Sequence, residues 1–150
     1  MYLFWKYLHI VGGFGFVASH GATAAVSLRL RKEREPERIR ALLELSRSTR
    51  SWMYVSLLVL LAGGIANGFL LHAWGRGWIW AAVILLALMI AAAFPLAVPY
   101  YKSVRLAVEA PEPDQEALAA LLVSQRPIAI AVVETAGILV ILWLMIYKPF

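Results

Sequence analysis

Four stretches of the sequence each run for about 20 residues or more with few charged side chains, and this pattern restricts the fold most. A helix of about 20 residues crosses the hydrocarbon core of a membrane, which is about 30 Å thick. We predict spans at about 3–28, 52–74, 78–100 and 127–147, with a tight turn at 75–77 and longer connections at 29–51 and 101–126. Because a helix satisfies its own backbone in lipid, residues 1–150 are predicted to form one all-α domain, an integral membrane four-helix bundle.

Composition agrees with a membrane protein and excludes several other classes. Hydrophobic residues make up 62% of the chain and charged residues 15%, which is too apolar for a soluble domain of this size. The absence of cysteine excludes disulfides and thiolate metal sites. The first apolar stretch is too long for a typical cleavable signal peptide and begins without a basic cluster. The net charge of +5 does not indicate a nucleic-acid partner, because the basic residues lie beside the spans.

The distribution of basic residues predicts how the bundle is oriented. Eleven of the 14 Lys and Arg residues lie in the two long connections, and the other three are Lys6, Arg76 and Lys148. Positive residues are retained on the cytoplasmic side of membranes. We therefore predict that both connections are cytoplasmic and both termini outside, in a bacterial inner membrane.

Both connections carry helix-start signals. Pro36, with Glu35 and Glu37 beside it, predicts a helix that continues into the second span. The segment 111–114 predicts the start of a short helix from Asp114 to about Ser124, ended by Pro127. Two alternatives are solvated charged loops and helices that lie on the anionic inner leaflet through their arginines.

Five polar side chains lie at predicted membrane depth, where an ionisable group costs roughly 2.5 kcal/mol or more without compensation. At 1.5 Å per residue they fall into two layers. The outer layer contains His9, His72 and Asn67, and the inner layer contains His20 and Glu134.

The outer layer suggests a haem site. Two neutral imidazoles from neighbouring helices can bind an iron porphyrin in the apolar gap between them. His9 and His72 are the predicted axial ligands, with His20 as an alternative ligand. Small residues that would admit the macrocycle are Gly12, Gly13 and Gly68. On this hypothesis the protein is a b-type electron-transfer module, alone or in a larger membrane redox complex; otherwise these histidines are interfacial side chains.

The inner layer suggests proton or cation handling. A carboxylate at membrane depth needs a partner, and an imidazole at the same level supplies one. His20 and Glu134 are predicted to form a proton relay, the coupling site of a small transporter, or two ligands of a zinc or copper ion. A third hypothesis is a cofactor-free accessory subunit in which the pair is a structural hydrogen bond. Homo-oligomerisation is compatible with each hypothesis.

Two segments carry a resemblance to known membrane proteins. The stretch YLHIVGG and the following HGATAAVSLRLRKEREPERIRALLELSRST resemble a family of small four-span bacterial membrane proteins without established function. That family is loosely grouped with the copper-resistance protein D type membrane domain. More distantly, Leu8-His9 is similar to the bacterial membrane-bound protoporphyrinogen oxidase, which implies haem binding by His9. The further haem-binding lysine of that family has no counterpart in the third span.

Overall fold

The computed structural model describes residues 1–111 and 114–150, except for the side chains of Phe94 and Leu96. The described residues are mainly helical and contain no strand. The helices are α1 (Tyr2–Leu30), α2 (Pro36–Leu70), α3 (Gly77–Glu109), α4 (Gln115–Val123) and α5 (Arg126–Tyr147).

Four helical runs in the described part of the chain are long and apolar enough to cross a membrane, α4 and α5 forming one of them. This confirms the predicted all-α membrane fold. α2 begins at Pro36 and continues for 35 residues without a break. Its length of about 52 Å exceeds the hydrocarbon thickness, so α2 forms part of the first connection as well as a span. α3 likewise continues through Pro95 and Pro99.

The four membrane-length runs alternate in direction, which gives the bundle two distinct ends. The connection end contains the α1–α2 and α3–α4 connections. The terminal end contains both termini and the α2–α3 turn. The backbone N–H of Trp78, at the start of α3, donates to the carbonyl of Phe150 at 3.3 Å. The chain therefore ends beside the turn that joins α2 to α3.

The α2–α3 turn begins earlier than the predicted end of the second span. α2 ends at Leu70, and His72 has a left-handed backbone with φ of 48°. The N–H of His72 donates to the carbonyl of Phe69 at 3.1 Å, and the N–H of Ala73 donates to that of Gly68 at 2.9 Å. This is the Schellman pattern of helix termination. His72 is consequently an exposed turn residue rather than part of the helix.

The long helices form two pairs. α1 packs most extensively on α2, and α3 packs most extensively on α5. In the first pair a Cβ on Gly63 would lie 2.6 Å from the backbone nitrogen of His9, and a Cβ on Gly12 would lie 2.8 Å from the Cα of Leu60. These glycines let the two backbones touch, as small residues do between membrane helices. The interfaces of α1 with α5 and of α2 with α3 are smaller.

The connections pack together at the connection end. Buried side chains from α1, α2, α3 and α4 form one cluster, which we call the connection core. Its members are Val26, Leu30, Ile39, Leu43, Tyr100, Val104, Val108, Leu118 and Leu122. A guanidinium nitrogen of Arg40 also donates to the carbonyl of Val108 at 3.1 Å. The connections therefore form a packed helical layer rather than solvated loops.

The second connection has the helix that the sequence predicts. The carboxylate of Asp114 accepts the backbone N–H groups of Glu116 and Ala117, each at 3.0 Å, which caps α4. α4 ends at Val123, and Pro127 lies in the first turn of α5. The part of the predicted helix-start signal at 112–113 lies outside the described residues.

Substitution of Gly12 tests the close contact between α1 and α2. We expect Gly12→Ala to lower the free energy of unfolding by about 1–3 kcal/mol, because the added methyl group meets the backbone of α2. Thermal unfolding in detergent measures the effect. Gly21→Ala is the matched control, because a Cβ there meets nothing within 4 Å. Equal unfolding temperatures for the two variants would contradict this contact.

Candidate functional site

The side chain of His20 connects α1 to α5 at predicted membrane depth. It is 9% exposed. Its Nδ1 lies 3.4 Å from Oε2 of Glu134, and its Nε2 lies 3.3 Å from Oγ1 of Thr135. The structure thus brings the two residues of the predicted inner layer together, and adds Thr135 as a third member.

The hydrogen bonds define where the protons of this cluster lie. The hydroxyl of Thr135 donates its proton to the carbonyl of Ala131 at 2.7 Å, so its oxygen can only accept from His20. Nε2 of His20 must therefore carry a proton and donate it. The contact between Nδ1 of His20 and Glu134 then requires one further proton, located on either the imidazole or the carboxyl group.

Both arrangements give the pair the same net charge. A neutral imidazole with a protonated carboxyl is uncharged, and an imidazolium with a carboxylate is a compensated ion pair. At membrane depth either form avoids an isolated charge, which is the costly species. The 3.4 Å contact therefore makes His20 and Glu134 a candidate acid–base pair, in which one shared proton would satisfy both groups.

A cavity of about 50 Å³ adjoins the pair. It is large enough to hold water, which needs about 10–15 Å³ of such volume and two or more polar partners. The lining residues are His20, Thr23, Ala24, Ser27, Ala97, Tyr101, Pro127, Ile130, Ala131 and Glu134. On every helix these residues extend from the level of the pair toward the connection end.

Two hydroxyl groups line the end of the cavity that lies farthest from the pair. Oγ of Ser27 and the hydroxyl oxygen of Tyr101 are 2.6 Å apart, linking α1 to α3. Ser27 donates to the carbonyl of Thr23 at 3.0 Å, so Tyr101 is the donor to Ser27. The guanidinium of Arg50 lies 5.5 Å from the centre of the Tyr101 ring, within the range of a cation–π contact.

His9 lies at a different interface from His20. Its Nδ1 donates to the carbonyl of Leu60 on α2 at 2.8 Å. Since that carbonyl can only accept, the neutral imidazole has its proton on Nδ1 and a free electron pair on Nε2. The ring also faces Gly64, where an added Cβ would lie 3.0 Å from Nδ1.

The other predicted haem-site residues are not gathered around His9. The backbone of His9 contacts Gly63, and His72 follows nine residues later, about 13 Å along α2 by helical rise. Gly12 contacts the α2 backbone, Gly13 faces the side chain of Leu60, and Gly68 faces the ring of Trp74. α1 and α2 are in backbone contact at His9, and His72 lies in the α2–α3 turn, so the two imidazoles do not face each other across a gap between these helices.

No group of three or more metal-binding His, Cys, Asp or Glu side chains occurs among the residues that the structure describes. His20 and Glu134 supply two such donors, and the hydroxyl of Thr135 is already committed to a carbonyl. These residues suit a proton better than a tightly held metal ion, because zinc sites in proteins use three or four protein ligands.

A larger groove of about 340 Å³ lies at the connection end, between α2 and α3. Its charged lining residues are Arg40, Glu44, Arg105 and Glu109. These residues follow the predicted third span or precede the second, where charged side chains can be solvated at little cost. We assign the functional site to the smaller cavity, because its acid–base pair lies where ionisable groups are costly and therefore informative.

Sequence reasoning did not identify Thr135 or Tyr101 as members of the site. For the α1 side of the cavity, part of the signal was available. Positions 20, 23 and 27 recur at helical spacing, which places His20, Thr23 and Ser27 on one side of α1. No comparable pattern marks Tyr101, which as a boundary aromatic resembles the interfacial residues of any membrane protein.

Two substitutions of Glu134 test the shared proton. Glu134→Ala leaves Nδ1 of His20 without a partner, and we expect a loss of about 1–3 kcal/mol in the free energy of unfolding. Glu134→Gln imitates the protonated carboxyl and can donate to a neutral imidazole, so its loss is expected to be clearly smaller. Thermal unfolding in detergent compares them, with the exposed Glu116→Ala as control. Equal losses for the Gln and Ala variants would instead assign the proton to His20 and the charge to Glu134.

Comparison with known proteins identifies a family. The model of a family described as predicted integral membrane proteins (DUF2269) matches residues 3–149. This confirms the resemblance to a family of membrane proteins, whereas the similarities to copper-resistance protein D and to the oxidase stay predictions. No curated protein and no solved structure matches the chain. Because the match covers nearly the whole sequence, the chain belongs to the DUF2269 family of predicted integral membrane proteins.

Proposed function

We propose that the protein binds protons and moves them across the membrane, with His20 and Glu134 as the proton-binding site. The observation that carries this proposal is the position of the pair. An imidazole and a carboxyl group lie 3.4 Å apart at membrane depth, beside a cavity that can hold water. Titratable residues in this setting are typical of proton relays in membrane transporters.

The chemistry of the pair suits proton exchange. With its shared proton the pair is neutral or internally compensated, which the membrane interior tolerates. Without that proton it carries one negative charge and can accept another proton. Water in the adjoining cavity supplies a partner for the exchange.

A purely structural role, as in a cofactor-free accessory subunit, explains less of the site. A hydrogen bond that only joins α1 to α5 does not need a cavity beside it, since close packing stabilises a helix interface more effectively. The cavity is lined by Thr23, Ser27 and Tyr101 in addition to the pair itself. A cluster of hydroxyl groups along one side of an acid–base pair favours a hydrated site.

Proton flux into liposomes tests the proposal. The purified protein is reconstituted with a trapped pH-sensitive dye, and a membrane potential is imposed with potassium and valinomycin. We expect Glu134→Gln to reduce the flux by at least about tenfold, because an amide cannot exchange a proton in the accessible pH range. Glu116→Gln, which removes an exposed carboxylate from α4, should retain the flux. Absence of any flux that depends on Glu134 would reject the proposal.

The same vesicles distinguish protons from metal ions. With a zinc- or copper-sensitive dye trapped inside, the proton proposal predicts no metal uptake that depends on Glu134. Metal uptake lost in Glu134→Gln, without proton flux, would replace the proposal with a metal-handling function.

Haem binding is the second candidate function, favoured by the orientation of His9. An imidazole that donates from Nδ1 to a carbonyl presents Nε2 to a metal, as ligating histidines commonly do. On this hypothesis His9 is the single ligand from the outer layer, because His72 lies apart in the α2–α3 turn. This candidate would make the protein part of a redox system, and a haem would supply its electron-transfer chemistry.

An absorption spectrum tests this candidate. The haem hypothesis predicts a Soret band in protein purified after haem supplementation, lost in His9→Ala and retained in His72→Ala, because His72 lies apart in the α2–α3 turn. A spectrum without visible bands in the unsubstituted protein would reject it.

For the orientation of the bundle, we infer that the connection end faces the cytoplasm of a bacterium. The connections carry most of the basic residues, and these are retained on the cytoplasmic side of inner membranes.

A further inference from the structure

We propose that, in the conformation described here, protons reach the His20–Glu134 pair through the cavity from the connection end and not from the terminal end, and that the Ser27–Tyr101 hydrogen bond restrains the cavity's mouth. Transfer across the membrane then requires a second conformation that opens the terminal side. This inference rests on the proposed function for its purpose, but its geometry can be tested without any transport. It assigns Ser27 and Tyr101 as positioning residues, since neither touches Glu134 in the described contacts.

The direction follows from the residues that line the cavity. On α1 they run from His20 to Ser27, which is toward the connection end. On α5 they run from Glu134 back to Pro127, which is the same direction because α5 is antiparallel to α1. On α3 they are Ala97 and Tyr101, which lie near the connection end of that helix.

The opposite side of the pair is closely packed. One turn beyond Glu134 toward the terminal end, Gly137 is covered by the side chain of Met89, where an added Cβ would lie 3.0 Å from its terminal methyl carbon. The next residue, Ile138, is 8% exposed. Apolar packing of this density excludes water, so the polar side of the pair faces the connection end.

The mouth of the cavity is held by a short hydrogen bond between helices of different pairs. The 2.6 Å contact joins Ser27 of α1 to Tyr101 of α3. The proton of Ser27 is directed to the carbonyl of Thr23 rather than into the cavity, so the two hydroxyls do not form a continuous relay to His20. We call this Ser27–Tyr101 hydrogen bond the latch, because it joins helices of the two pairs at the mouth of the cavity. Water in the cavity then connects the mouth to the His20–Glu134 pair.

The proton step needs only water as its partner. On release, the shared proton passes to a water molecule in the cavity, which becomes hydronium, and a carboxylate remains beside the imidazole. Uptake reverses the step. The titratable groups that line the cavity are Tyr101 of α3 and the pair itself. Arg50 of α2 lies against the tyrosine ring.

Silver-ion labelling of single cysteines tests the direction, and the cysteine-free chain provides a clean background. Ala131→Cys places a thiol in the cavity, about 5 Å along α5 from Glu134. Ile138→Cys is its matched control, about 6 Å away on the terminal side. Glu116→Cys and Gly75→Cys, both exposed, mark the connection end and the terminal end. Silver ions are added to one face of the vesicles, and unreacted thiols are then counted with a maleimide after denaturation.

We expect Ala131→Cys to react at least about tenfold faster than Ile138→Cys from the face where Glu116→Cys reacts, because a packed position is reached only by local opening. Adding Ser27→Ala to the Ala131→Cys protein should raise the rate at which silver reacts with the thiol by about fivefold. This factor is the increase in the population of the open cavity that corresponds to the loss of one net hydrogen bond. Tyr100→Phe is the matched control for the latch, since the neighbouring Tyr100 hydroxyl has no hydrogen-bond partner among the described residues and should leave the rate unchanged.

The outcomes separate this inference from the proposed function. Equal rates at positions 131 and 138, or labelling of Ala131→Cys only from the face marked by Gly75→Cys, would overturn one-sided access. A rate unchanged by Ser27→Ala would overturn the latch. Labelling as expected without proton flux would reject the proposed function and leave the one-sided cavity established.

Discussion

Lipid offers no hydrogen bonds, and this constraint accounts for the way the two helix pairs of the protein are joined. The α1–α2 and α3–α5 pairs contact each other over smaller interfaces than those within each pair. At the contact between α1 and α5, both ring nitrogens of His20 are directed to partners on α5. Burying the imidazole without these partners would cost more free energy than the small contact between α1 and α5 provides. The need for hydrogen-bond partners at both nitrogens of His20 therefore determines which faces of α1 and α5 lie against each other.

The two halves of the membrane region are packed in different ways. Toward the terminal end, glycines bring α1 and α2 into backbone contact, and Met89 covers Gly137 between α3 and α5. Toward the connection end, the helices separate enough to leave a small cavity beside Ser27 and Tyr101. Tight packing resists deformation, whereas hydrogen-bonded contacts across a cavity can exchange partners with water.

The sequence was sufficient for much of the fold because hydrocarbon thickness dictates the length of an apolar helix. It also predicted the start of α2 at Pro36, and helical rise gave His20 and Glu134 similar depths. The partners of each side chain were harder to predict. α5 is apolar on nearly all sides, so its pattern does not define its rotation, and Thr135 could not be placed beside His20. The sequence was equally compatible with Gly12 facing a haem macrocycle and with Gly12 facing another helix, since the close approach of either requires a residue without a Cβ.

α2 has a mechanical consequence because it is a single unbroken rod. One end lies in the connection core and the other contacts α1 beside His9. A rod of about 52 Å that tilts by about 5° around its middle moves each end by about 2 Å. Helix shifts of about 1–2 Å are the size that switches many proteins between states. A partner that pressed on α2 at the exposed Leu45 from the aqueous side would thus act on a lever, and the displacement would reach the far end of α2 within the membrane without any intervening hinge.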